Sequence, residues 1–98
     1  MSDAATVIKR LDAVLNYLAN DRGHSSDSDI AKGLKRTADI DMLIDELLRH
    51  LKQLIEDKFI SVEILNGVRC YAIITSGAIL NLRGGYSQKY QEVERLRG

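Results

Sequence analysis

Between Ala4 and Asn20 the apolar residues Val7, Ile8, Leu11, Val14, Leu15 and Leu18 recur at three- and four-residue steps, the period of a helix that buries one face. Asp21, Arg22 and Gly23 follow, and the spacing predicts a helix that stops there with Gly23 as a left-handed terminal residue. Ser26 then precedes Asp27, Ser28 and Asp29. A hydroxyl at that point caps a helix, and carboxylates in its first turn complement the helix dipole. A short second helix is predicted over Asp27 to Lys35, with Ile30, Ala31 and Leu34 facing in. The longest periodic run places Ile40, Leu43, Ile44, Leu47, Leu48, Leu51, Leu54 and Ile55 on one broad stripe, which predicts a third helix over Asp39 to Asp57.

The pattern then changes period. Ser61 to Leu65 and Val68 to Ile74 are β-branched runs around Asn66-Gly67, the dipeptide that favours a two-residue type I′ hairpin turn. Such a turn pairs Leu65 with Val68 and Val62 with Tyr71. Val62, Ile64, Tyr71 and Ile73 then share one face, predicted to be the inner one, and Glu63, Cys70 and Ala72 share the other. Gly77 opens a last helical stretch with Ile79, Leu80 and Leu82. Gly84-Gly85 interrupts it, after which Tyr86, Tyr90, Val93 and Leu96 again fall at helical spacing. The expected organisation is a folded domain over residues 1–83 and a C-terminal helical extension over 84–98, in a mainly α architecture with a small β-hairpin.

Three helices followed by a hairpin resemble a winged helix-turn-helix domain, and local residues carry the resemblance. Ile30-Ala31-Lys32-Gly33-Leu34 is similar to that superfamily's second-helix pattern I-A-x-x-L. Leu48-Arg49-His50-Leu51-Lys52-Gln53-Leu54 followed by Asp57-Lys58-Phe59-Ile60 resembles the end of its third helix and the turn into the wing. Gly67 to Gly77 resembles the returning strand and the start of the next helix. The third helix reads as longer than usual at its start, Ile74 stands where the wing exit usually carries Thr, and the wing tip is short and apolar. The resemblance implies a three-helix core plus wing and a function in DNA binding and transcription regulation.

Composition changes this picture at one point. The 98 residues, 45% hydrophobic and 29% charged with seven Gly and no Pro, suit one globular domain with a core of its own. Lys plus Arg equals Asp plus Glu at 14 each, whereas phosphate contact usually demands a basic surplus. A single cysteine, Cys70, closes no intrachain disulfide, the Met-Ser-Asp start lacks the pattern of a signal peptide, and no apolar run reaches the roughly 20 residues of a membrane span. The expected location is cytoplasmic.

The resemblance assigns a DNA-contacting set. Lys32, Lys35, Arg36 and Thr37 cluster around the turn into the third helix and are candidate phosphate contacts, and Asn66 and Arg69 sit on the wing. At 100° per residue, the third-helix face opposite the leucine stripe carries Met42, Asp45, Glu46, Arg49, Gln53 and Glu56. Arg49 and Gln53 are the candidate base readers there. That helix holds six acids against two bases over Asp39 to Asp57, a poor surface for phosphates, and an Asp45 to Arg49 pair at i,i+4 accounts for part of it. The tail stripe Tyr86, Tyr90, Val93 and Leu96 is a candidate dimer seam, with docking onto the first helix of the same chain as the alternative.

Catalytic chemistry finds no frame. His24, Ser25, Ser26 and Asp27 hold the letters of a triad, but neighbours along one turn cannot assemble it and a helix cap explains them. His24, His50 and Cys70 lack metal-ligand spacing, and neither a phosphate loop nor a dinucleotide fingerprint occurs. No enzyme activity, metal or cofactor is expected. Two functions stay open: a DNA-binding regulator acting on double-stranded DNA, and a protein-interaction or self-association module of the same fold without significant DNA affinity.

Overall fold

The computed structural model describes residues 4–21 and 23–88. Helix α1 spans Ala4–Asn20, α2 Asp27–Ala38 and α3 Ile44–Glu56; strands β2, Ile60–Leu65, and β3, Val68–Ile73, form the hairpin, and α4 spans Thr75–Leu82. A two-residue strand β1, Ser25–Ser26, precedes α2 and pairs with β3, giving an antiparallel sheet in the order β1-β3-β2.

The core is aliphatic and comes from every layer. Leu11, Val14, Leu15 and Leu18 of α1, Ile30 and Leu34 of α2, and Leu47, Leu51 and Leu54 of α3 meet Ile60 and Tyr71 at the base of the sheet. Each fully buried aliphatic side chain stabilises the fold by roughly 1.5–3 kcal/mol, so α1, which supplies four, belongs to the core and is no appendage. Gly33 allows α2 to lie on α1, since a Cβ there would sit 2.1 Å from the Tyr17 ring. At Gly77 a Cβ would lie 2.1 Å from the Phe59 carbonyl oxygen, which fixes how closely α4 passes the turn after α3.

Several boundaries follow the hydrophobic period and others follow local capping. Helix α1 matches its expected span, but Gly23 is not among the left-handed glycines of the described residues, which are Gly67, Gly84 and Gly85. Ser26 caps α2 as expected, its hydroxyl accepting the Asp29 N–H at 3.2 Å. Helix α2 runs three residues beyond Lys35, to Ala38, and ends where Asp39 takes the left-handed conformation at φ 54°. The Asp39 and Ile40 N–H groups return to the carbonyls of Lys35 and Leu34, each at 3.2 Å. That turn overturns the expected start of the third helix at Asp39, which lies instead at Ile44.

The shorter α3 also narrows its buried stripe. Leu47, Leu51 and Leu54 are buried together with His50, whereas Leu43 is 78% exposed and Ile44 and Leu48 are exposed as well. Met42, expected to face out, packs half-buried against the core. After Glu56 the chain reverses at Lys58, φ 63°, with Lys58 and Phe59 N–H groups bonding Ile55 and Leu54 carbonyls at 3.0 Å, a Schellman closure that sets Phe59 against the core. The hairpin has the expected register, Val62 opposite Tyr71 and Leu65 opposite Val68, and positive φ at both Asn66 and Gly67. Its inner face is the one expected, but only its base is covered: Tyr71 is buried while Val62 and Ile64 stay exposed.

Candidate nucleic-acid interface

Helix α3 has two flanks with different neighbours. On one, Leu48, Lys52, Ile55 and Glu56 face Arg69 and Tyr71 of β3 across a groove of about 450 Å3. On the other, Glu46, Arg49, His50 and Gln53 face Val7 and Leu11 of α1 together with Tyr86. The division follows from helix geometry: with Leu47, Leu51 and Leu54 at the centre of the buried stripe, Leu48 and Lys52 fall about 90–130° to one side and Glu46 and Gln53 about 110–130° to the other. Asp45, Arg49 and Glu56 lie between them on the outer line.

The sequence-assigned residues are therefore spread over three surfaces. Arg69 lies in the groove between α3 and the hairpin, and the exposed Asn66 forms the hairpin tip. Arg49 and Gln53 open onto the α1 side. Lys52, which sequence reasoning passed over, takes the place beside Arg69; counting helix angles from Leu47 and Leu51 alone would have found it. Lys32 is exposed on α2, and Arg36 borders a shallow recess with Asn16, Tyr17 and Asn20 of α1. Lys35 is tied to Asp39 at 3.1 Å and Asp41 at 3.0 Å; the hydrogen bonds that its ammonium donates to Asp41 and then to Asp39 hold its pKa above the usual lysine range. The Thr37 hydroxyl donates to the Gly33 carbonyl at 2.7 Å.

Two acidic assignments change. Glu46 does not face outward: its carboxylate accepts Arg10 of α1 at 2.5 Å and contacts His50 Nε2 at 3.2 Å. The Arg10 hydrogen bond is the main cause that lowers its pKa below the usual range, against an opposing effect of burial. Nor does Asp45 pair with Arg49, which has no ion-pair partner among the described residues.

The triad letters have structural work. Ser25 donates its hydroxyl to Asp21 and pairs with Tyr71 through β1, Ser26 caps α2, and His24 Nε2 lies 3.5 Å from Glu63 of β2. Among the described residues no group of three His, Cys, Asp or Glu side chains has metal-site geometry, and no helix is long and apolar enough to cross a membrane.

The tail folds back at its start. Gly84 and Gly85 break the helix in left-handed conformations, φ 99° and 72°. Asp12 of α1 then accepts the N–H groups of Tyr86 at 2.6 Å and Ser87 at 3.0 Å, and the Ser87 hydroxyl at 2.5 Å. The Tyr86 ring meets Phe59 edge-on with centroids 5.7 Å apart, and its hydroxyl donates to Asp57 at 2.5 Å. Burial, and then Asp57, pushes the phenol pKa far up. Tyr86 thus docks within its own chain, while Tyr90, Val93 and Leu96 lie outside the described residues.

Comparison of whole folds decides what this architecture is. A transcriptional regulator from Clostridium thermocellum, Cth-833, superposes with a TM-score of 0.69 over 98% of this chain and 94% of its own, at 13% identity. A PadR-like transcription factor from Bacteroides fragilis gives 0.65 over 96% and 99%, at 18% identity, and SSV1 F-93 gives 0.60 over 90% and 92%, at 15%. The chain has the winged-helix fold. No family model and no curated protein sequence matches it. In winged-helix terms β2 and β3 are the wing, α3 is the third helix of the core, and Lys52 and Arg69 stand on the two walls of the groove between them. The unusually long third helix that sequence suggested is absent, so α3 at 13 residues removes one departure from the pattern.

Proposed function

We propose that this chain is a small DNA-binding transcription regulator that lays the outer face of α3 and the wing against double-stranded DNA. The observation that carries the reading is the placement of Lys52 and Arg69 on facing walls of the groove between α3 and wing, both exposed. Two of the solved folds it resembles are described as a transcriptional regulator and a transcription factor. In this reading Lys52 and Arg69 meet the duplex first and Asn66 extends the wing contact. Lys32 and Arg36 supply further phosphate contacts, with Lys35 and Thr37 beside them; Arg49 lies on the outer line of α3 and Gln53 at its far edge. A cytoplasmic location and self-association through the tail belong to the same proposal.

A second reading is favoured by one specific observation. The same groove is bordered by exposed apolar side chains, Leu48, Val62 and Ile64, the last 70% exposed, and contiguous apolar surface usually meets protein. Fluorescence anisotropy with labelled duplexes at low salt separates the two. DNA binding is expected, and the Lys52→Ala, Arg69→Ala double variant should weaken it by roughly tenfold, about 1.4 kcal/mol for two lost phosphate or base contacts. No binding to any duplex, with the chain folded, would transfer the groove to a protein partner.

A further inference from the structure

The flank of α3 away from the wing holds a cleft of about 400 Å3, within the size range of small-molecule sites. Val7 and Leu11 of α1 form its apolar floor, the Tyr86 ring forms one wall, and Arg49 and Gln53 form the other. Tyr86 is held from two directions, by Phe59 against its ring and by Asp57 on its hydroxyl, while Asp12 fixes the backbone of the same turn. The wall is therefore built before any occupant arrives, which lowers the ordering cost of binding.

The charges in the cleft are unevenly committed. Both Glu46 oxygens accept Arg10, and one also contacts His50. The Gln53 amide donates to Asp57 at 3.0 Å. Arg49 alone of these charged side chains has neither an ion pair nor a hydrogen bond among the described residues. An uncommitted guanidinium over an apolar floor selects an anion with a hydrocarbon body, because a carboxylate matches the guanidinium fork and the hydrocarbon covers Val7, Leu11 and Tyr86.

We infer that this cleft binds a small amphipathic monocarboxylate, its carboxylate on Arg49 and its apolar body between α1 and the Tyr86 ring. Such an occupant touches α1, α3 and the turn over residues 85–88 at once, so it clamps the docked tail onto α3.

The test is a ¹H–¹⁵N NMR titration of the full 98-residue chain with sodium hexanoate, with hexylamine and 1-hexanol as charge controls. Hexanoate should give saturable shifts centred on Leu11, Arg49, Gln53 and Tyr86. Arg49→Gln should weaken it roughly tenfold or more, and Arg49→Lys should restore only part of that loss, since it keeps the charge and lacks the fork. Arg49 is exposed, so both variants should fold, and circular dichroism checks that they do. Equal affinity for hexanol or hexylamine, an unaffected Arg49→Gln variant, or no saturable shift by roughly 50 mM, where even a weak site would fill, would each overturn the assignment. The titration contains no DNA, so its outcome is separate from the fate of the DNA-binding reading.

Discussion

Glu46 shows how one side chain changes the account of a whole face. Helical spacing alone puts it on the polar side of α3, facing solvent, because nothing local records that Arg10 of α1 will arrive 2.5 Å away. The contact spans 36 residues and joins two helices that otherwise meet through leucines. It also makes stability depend on pH with a definite sign. The hydrogen bond from Arg10 lowers the folded-state pKa of Glu46 beneath its ordinary 4.5, so the unfolded chain takes up a proton first. The stabilisation is complete above that ordinary value and is lost as pH falls through the lower folded value. Urea unfolding midpoints measured between neutral pH and about pH 3 should therefore decline more steeply below pH 4.5 for the native chain than for Glu46→Gln, which has no such carboxylate to protonate. Parallel declines would place the acid sensitivity elsewhere. Gly85 is a second residue whose role is invisible locally: it reads as a helix break, and it is one, but a Cβ there would also lie 2.5 Å from Asp12 Oδ1, so it admits the carboxylate that caps the tail.

At the scale of elements, the clearest signals in sequence were those completed within a few residues. The Asn66-Gly67 turn carries its register with it, and Ser26 places the start of α2. The end of α2 was not legible in the same way, because Asp39 occupies a left-handed position that glycine usually marks. With no glycine there, the apolar period runs on through Ile40 and Leu43 into α3, and the end of α2 and the connection after it read as the start of a false longer third helix. Strand β1 was missed for another reason: two serines have no strand signature and become one only by pairing with Tyr71 and Cys70 of β3. The flank assignments on α3 failed with its stripe, since including the exposed Leu43, Ile44 and Leu48 rotated the inferred inner face and hid Lys52. If Asp39 is what divides α2 from α3, Asp39→Gly should keep the fold and raise stability by roughly 0.5 kcal/mol, the relief of left-handed strain less the entropy that glycine adds to the unfolded chain. Thermal unfolding measures it, and a marked loss of stability would mean that the carboxylate contact with Lys35, 3.1 Å long, outweighs the backbone strain.

For the molecule as a whole, the tension lies between a fold shared with transcription regulators and a net charge of zero. Affinity for DNA grows with the number of phosphates neutralised, and the face formed by α2, α3 and the wing offers few cations free to do so besides Arg49, which opens onto the α1 side. Lys32, Arg36, Lys52 and Arg69 are exposed, whereas Lys35 already faces Asp39 and Asp41 and would have to leave them. Four neutralised phosphates correspond to a slope of about −3 to −4 in log affinity against log salt, so binding should be measurable at low salt and nearly gone at physiological salt unless a second copy doubles the contacts. The acids sharpen the test. Asp45 and Glu56 lie on the outer line of α3, beside Lys52, and both are exposed; Glu46 is excluded because it serves Arg10. If α3 lies against the duplex, Asp45→Asn with Glu56→Gln removes two repulsive charges from the interface. Affinity should rise several-fold at low salt, with a smaller gain as salt screens the repulsion. Lys35→Ala should change affinity less than Lys52→Ala, since its charge is already shared with two carboxylates. An unchanged affinity in the acid-neutralised variant would put α3 away from the DNA and leave the apolar border of the groove, Leu48, Val62 and Ile64, as the surface that a protein partner covers.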